Sequence, residues 1–334
     1  MGVSEQGLAE HPPTCDSDGV DVTEWLLDAD PSIRWQVMRD LTDERDDVVA
    51  AERARVGIEG WGARLLALQD ERGQWGGGAY SPKWISTTYT LLLLRLLGLD
   101  AASAEAQAAV NRVHDGVTWR HGGKPFFAGD TEPCVNGMVL AIAAYFGGGG
   151  AIGEPDETGT IVDRLVERLL GEQLDDGGWN CEAPRRSHRS SFHTTILVLE
   201  GFREVERSIF PDPAIAAARV RGEEYLLERR LFRSRSTGDV IKPVWMQFSF
   251  PPQWHYDVLR GLDYLRASGR VPDERCAEAI ELVHTRRQSD GRWLLQHTHR
   301  AKTHFEMEDG DGNPSRWNTL RALRVLAWYE GAEG

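Results

Sequence analysis

The sequence of 334 residues predicts an all-α fold, a ring of six helical hairpins, from three observations. Helical-period patterns recur between Gly- and Pro-rich turns, and strand-like alternation persists nowhere. A Gln, a few residues, a Gly and then a Trp recur as Gln69 to Gly73 and Trp75, Gln173 to Gly177 and Trp179, and, shortened, Gln288 to Gly291 and Trp293. The start of an apolar helix recurs six times, at intervals of about 50–60 residues.

Taken in order, residues 1–20 carry Gly, Ser, Pro and acids with little apolar content, so a disordered N-terminal arm is expected there, Cys15 included. Residues 21–334 are expected to form one domain. The six apolar helices open near Ser32-Ile33-Arg34-Trp35, Trp84-Ile85-Ser86-Thr87, Cys134-Val135-Asn136-Gly137, Phe192-His193-Thr194-Thr195, Trp254-His255-Tyr256-Asp257 and Arg316-Trp317-Asn318-Thr319. Pro31, Pro82, Pro133, Pro252 and Pro314 precede several of them, where a missing N–H does no harm. Met138 to Tyr145 is apolar around its whole circumference, whereas the helices expected before the Gln–Gly–Trp turns (Trp61 to Leu68, Ile161 to Leu170, Asp273 to Arg287) are amphipathic. Gly after a helix suits a left-handed cap, and the Trp beyond it can pack back over the turn. Buried helices inside amphipathic ones make two concentric rings. An open solenoid of helix pairs has a similar period, but six pairs can close on themselves.

Composition excludes several partners. A net charge of −14 argues against nucleic acid and anionic membrane. No stretch suits a signal peptide or a membrane span, and four cysteines in a chain of this size do not make a disulfide framework, so a cytoplasmic protein with reduced thiols is expected. A basic loop holding Arg185, Arg186, His188 and Arg189 stands against the acidic background, as an anion contact or as a solvated loop.

In a ring of hairpins the inner helices run the same way, so their starts share one mouth. Cys134, His193 and His255 then lie at equivalent depth, with Cys181 arriving from the loop before His193 and Glu132 two residues before Cys134. Thiolate, imidazole and carboxylate at one rim form a zinc-like donor set. His255 and Asp257 are candidates for acid–base work, although residues two apart on a helix point different ways. Glu306 and His304, in a polar loop over residues 297–313, are further candidates to face the cavity. Trp84, Trp254, Tyr256 and Trp317 either line that cavity for an apolar or cationic substrate or simply fill the core.

The Gln-x-x-x-Gly-x-Trp motifs resemble the QW repeats of the squalene–hopene cyclase and protein prenyltransferase β-subunit superfamily, over roughly residues 22–330. That resemblance implies an α6/α6 barrel (toroid) with a central cavity. Prenyltransferase β-subunits take zinc from an Asp-x-Cys pair and from a His within Tyr-His-Thr. Glu132-Pro133-Cys134 and Phe192-His193-Thr194 occupy the similar places here, so the carry-over makes Glu132, Cys134 and His193 ligands. Glu in place of Asp, and the extra thiol of Cys181, depart from the pattern. A Cys134/Cys181/His193 site completed by Glu132, His255 or solvent fits equally. The Asp-x-Asp-Asp acid of squalene–hopene cyclases is absent. Protein prenyltransferases normally need an α-subunit partner, of which this chain shows no sign, so a stand-alone, zinc-dependent enzyme acting on a small hydrophobic or isoprenoid molecule is expected, with Arg185 and Arg186 available to the diphosphate if prenyl transfer is the reaction. Two alternatives stay open. One is a terpene-cyclase-like lyase or isomerase whose acid is a carboxyl of raised pKa in an aromatic cavity. The other is a ligand-binding toroid held by a structural metal.

Overall fold

The structure, a computed structural model, describes residues 21–130, 132–147, 160–183, 186–209 and 211–331. The expected arm at 1–20 and Arg185 lie outside the described residues. Among these, thirteen α-helices and four short 3-10 turns account for the regular structure, and pairing between extended segments is confined to isolated bridges. No described helix is long and apolar enough to cross a membrane.

The six apolar helices form where the sequence places them: α2 (Pro31–Asp40), α5 (Thr87–Leu97), α7 (Pro133–Phe146), α9 (Phe192–Ser208), α11 (Val258–Ala267) and α13 (Arg316–Glu330). Between them come α1 (Val22–Leu27), α3 (Asp46–Ala54), α4 (Gly60–Leu66), α6 (Ala104–Gly116), α8 (Ile161–Gly171), α10 (Pro213–Leu227) and α12 (Ala277–Thr285). Their starts have local causes. Asp30 accepts from the Ser32 N–H ahead of Pro31, and Ser315 accepts from the Asn318 N–H, both at 2.9 Å. Glu132 stands at the N-cap of α7 without capping it, so its carboxylate is available elsewhere.

The Gln–Gly–Trp turns are joints built three times over. The indoles of Trp75, Trp179 and Trp293 donate to the carbonyls of Leu65, Leu169 and Val283, each ten residues back, at 2.7–2.8 Å. Their backbone N–H groups donate to the hydroxyls of Thr87, Thr195 and Thr319 on the following inner helices. Gly73, Gly177 and Gly291 hold φ of 78°, 94° and 81°, the left-handed region in which a Cβ is strained. Gln69 and Gln173 each donate to the carbonyl of that glycine and to α6 or α10 beyond it. One turn therefore ties three helices.

Inner helices touch in succession. Trp35 on α2 donates to Leu97 O at the end of α5, and α5 packs on α7. On α7 a Cβ at Gly137 would come within 2.7 Å of Leu197 O, and one at Gly201 of α9 within 2.7 Å of Gly137 O, so reciprocal glycines set that close approach. Arg260 of α11 grips Glu200 of α9, and Arg324 of α13 grips Asp263 of α11. Arg324 also donates to Gln36 of α2 at 3.0 Å, so the last inner helix meets the first.

Candidate functional site

The threonine anchors fix where each inner helix begins but not how much chain precedes it. Trp75 and Thr87 are 12 residues apart, Trp179 and Thr195 are 16, and Trp293 and Thr319 are 26. The extra residues bring in Cys181 in one case and the histidine-bearing loop over 297–313 in the other.

Cys181 follows a turn stapled by Asn180, whose side chain donates to Arg189 O at 2.7 Å and accepts from the Glu182 N–H at 2.9 Å. Because α7 and α9 begin side by side, this turn delivers Cys181 to Cys134. The donor atoms of Glu132, Cys134 and Cys181 all lie within 4.8 Å of one another. Cys134 Sγ lies 3.5 Å from Glu132 Oε2, and Cys181 Sγ lies 3.4 Å from the Thr194 hydroxyl. A hydrogen bond between the two sulfurs raises the Cys134 thiol and lowers that of Cys181, so one of the pair gives up its proton more readily than a lone thiol. Two sulfurs and a carboxylate this close suit zinc, and three protein donors leave a coordination position open.

His193 is not a member of this group. Its Nδ1 accepts the Tyr256 backbone N–H at 2.8 Å, and its ring stands edge-on to Trp254 and His255. There it joins His255, His297 and His299 around a cavity of about 290 Å³, with Lys242, Trp245 and Trp254 among the other walls. The His255 ring stacks on Trp254 and on His299, both at 3.8 Å. Burial first, and neighbouring cationic groups second, push His193 down to about 4, His255 to about 3 and His299 to about 4, so all three are neutral at pH 7.

Among the described residues, His299 Nε2 and the indole N–H groups of Trp84, Trp245 and Trp254 are buried without a hydrogen-bond partner. Three of these, on Trp245, Trp254 and His299, belong to walls of the one cavity and invite a ligand that supplies partners. Trp84, edge-on to His255 at 5.8 Å, also holds φ at 71°, a left-handed backbone that costs a non-Gly residue roughly 1–3 kcal/mol.

The other expected residues divide. Residues 254–257 precede α11 rather than opening it, so the helical objection to His255 and Asp257 acting together does not apply. Asp257 is instead the N-cap, accepting from the Arg260 N–H and the Ser249 hydroxyl at 2.7 Å each. Tyr256 is buried, with its hydroxyl donating to Leu231 O. Trp317 is buried too, stacked on Phe250 at 4.5 Å. Glu306 is exposed and accepts from the Thr303 hydroxyl, whereas His304 Nε2 lies 2.9 Å from the Thr90 hydroxyl. Arg186 is exposed, with its backbone N–H donating to Glu182 O at 2.8 Å.

Glu308 is the residue that sequence reasoning passed over. It accepts from the Ser315 hydroxyl at 2.7 Å and the Trp317 N–H at 3.2 Å, at the start of α13. Burial pushes its carboxyl up to about 7 despite those donors. It lines both a small apolar pocket, with Trp84, Leu93, Phe250 and Phe305, and a cleft of about 470 Å³ beside Trp25 and Trp61. Nothing in its neighbours in sequence marks it, because the shift comes from a loop folding over it. No protein-family model matches this chain, and no curated protein matches it.

Proposed function

We propose that this chain is a closed α/α toroid whose cysteine-bearing mouth is the site of a metal-dependent enzyme acting on a small, largely apolar molecule. The closed ring is supported by helix packing at α5–α7, α7–α9, α11–α13 and α13–α2, with Trp35 linking α2 to α5 and Arg260 linking α11 to α9. The observation that carries the function is the convergence of Glu132, Cys134 and Cys181 within 4.8 Å. These three would hold zinc, which when bound supplies Lewis-acid activation of a thiol, water or carbonyl.

The protein's own residues do the remaining work. The stacked rings of Trp254, His255 and His299 offer apolar faces, while the unmet indole donors orient a molecule that carries hydrogen-bond acceptors and His299 Nε2 meets it as donor or acceptor according to its tautomer. His193, with its Nδ1 occupied by the Tyr256 N–H, carries its proton on Nε2 when neutral and is a donor there. An isoprenoid-like body fits these walls, and prenyl transfer is the first reaction to assay.

The test is metal content by elemental mass spectrometry, on protein purified under reducing conditions without a metal-binding tag. About one zinc per chain is expected in the parent and in His193→Ala, and loss in Cys134→Ala and Cys181→Ala. Full zinc in both cysteine variants would overturn the reading.

A second reading has its own observation. The raised carboxyl of Glu308 beside Trp84, Phe250 and Phe305 is what a lyase or isomerase needs to protonate an alkene or carbonyl without an Asp-x-Asp-Asp acid. Under this reading turnover requires the protonated carboxyl, so it falls as pH rises through about 7. Glu308→Gln would abolish turnover while leaving metal content unchanged.

A further inference from the structure

The ends of the inner helices away from Cys134 and His193 surround a second cavity, of about 210 Å³, to which all six contribute. Its wall holds nine arginines and three carboxylates, Glu200, Glu204 and Asp263. Asp40 and Asp257 touch the same arginines from behind. Even with these two counted, positive charge exceeds negative by four, in a chain whose net charge is −14.

Part of this charge is consumed internally. Arg260 is bidentate to Glu200, and Arg95 and Arg207 share Glu204. Arg53 and Arg203 donate instead to neutral carbonyls, Gly98 O and Ala267 O, at the ends of α5 and α11. Such capping explains why two arginines are present, but each guanidinium carries five N–H donors and a full charge, whereas a helix end supplies about half a charge. Among the described residues, Arg95 Nε is buried without a partner. Burial, together with Arg95 and Arg207 beside it, lowers Arg203 from its ordinary value in spite of Glu204, as expected where like charges crowd.

We propose that this cavity binds a compact anion bearing two or more oxyanion groups, a diphosphate or a tricarboxylate. Planar guanidinium forks match phosphate and carboxylate oxygens bidentately, and excess fixed charge in a half-enclosed space favours a multivalent ion over a monovalent one. The volume, several times the roughly 30 Å³ share of one water, admits such a group without rearrangement. The metal centre at the other mouth plays no part, so either assignment can fail alone.

The experiment is titration calorimetry on the full chain in low-salt buffer. The probes are inorganic pyrophosphate, citrate and orthophosphate, with sodium chloride at matched ionic strength as the blank. Pyrophosphate or citrate is expected to bind about one per chain and at least about tenfold more tightly than orthophosphate, and whichever is tighter identifies phosphate or carboxylate as the natural group. Arg203→Met and the rim variant Arg207→Met should each weaken that affinity about tenfold or more, with folding checked by circular dichroism. Arg207 is half exposed, so its variant keeps the test alive if Arg203→Met does not fold. Arg235→Met, at an exposed arginine outside the cavity wall, should leave binding unchanged. Heats no larger than the chloride blank, or undiminished affinity in both cavity variants, would overturn the proposal.

Discussion

Glu308 and the half-buried imidazoles of His193, His255 and His299 are displaced in opposite directions, and both displacements bear on stability. The Glu308 carboxyl is raised from 4.5 to about 7, so between those values the folded protein holds a proton that the unfolded chain releases. Its contribution is complete below pH 4.5 and is lost as pH rises through 7. His193, His255 and His299 are lowered from 6.5 to about 4, 3 and 4, so their contribution is present above pH 6.5 and is lost as pH falls. Glu308→Gln keeps an acceptor for Ser315 and Trp317 and cannot ionise. Relative to the parent, the variant should gain stability from pH 5 to pH 8 by roughly 3 kcal/mol at most, because each tenfold change in proton affinity is worth about 1.4 kcal/mol. Urea denaturation at the two pH values measures this, and a constant difference would show that Glu308 ionises like a surface carboxylate. Sequence could not supply these shifts. His193 stands where a ligand is expected, but the Tyr256 N–H, 63 residues on, takes its Nδ1. Cys134 and Cys181 were readable as a pair because Cys134 stands in the first turn of α7 and Cys181 follows the Trp179 joint by two residues, and the repeat locates both.

The Gln–Gly–Trp joint is the element that made the fold legible. Apart from the glutamine bonds to α6 and α10, its bonds span 4, 10 or 12–26 residues, so spacing in the chain maps onto geometry. The loop between joint and helix has no such constraint, and so its contents were readable as residue types but not as positions. Glu306 ends exposed and Glu308 half-buried, two residues apart in that loop. The joint itself can be tested with a nearly isosteric change. Thr195 is fully buried, and its hydroxyl accepts the Trp179 N–H at 3.0 Å. Thr195→Val leaves that N–H without a partner, which is expected to destabilise by about 1–3 kcal/mol. Thr319→Val, at the equivalent 3.0 Å bond, should behave alike, and Thr87→Val, at 3.3 Å, should cost less. Guanidinium titrations of the three variants would show the order, and no effect in any of them would remove the joint from the account of stability.

At the scale of the whole molecule, α13 meeting α2 matters more than any single helix. The arginine-lined cavity was illegible in the sequence for the same reason: each of its arginines reads as an ordinary charge on its own helix, and only the packing of all six helices turns them toward one space. Arg324 is central to that packing. Its buried fork holds Asp263 at 2.8–2.9 Å, and its Nη1 reaches Gln36 at 3.0 Å and Asp40 at 3.4 Å. Burial alone would raise the Asp263 carboxyl, yet Arg324 and its neighbours hold it well below the ordinary value. Arg324→Met therefore removes the bidentate partner of Asp263, leaving it Arg266 and Arg321, and cuts the bridge between last and first inner helix, at an expected cost below the roughly 3–5 kcal/mol of a fully uncompensated buried charge. The manner of unfolding carries the architectural information. In an open solenoid the end pairs have one neighbour each and fray first, whereas in a closed ring every pair has two and none is terminal. Tryptophan fluorescence and far-ultraviolet circular dichroism of the parent should thus give coincident transitions. On the closed-ring proposal Arg324→Met gives the ring two ends, and the segment bearing α1 and α2 should become the first site of proteolytic cleavage under native conditions. Early cleavage there in the parent as well would mean that the contact between α13 and α2 does not close the ring in solution.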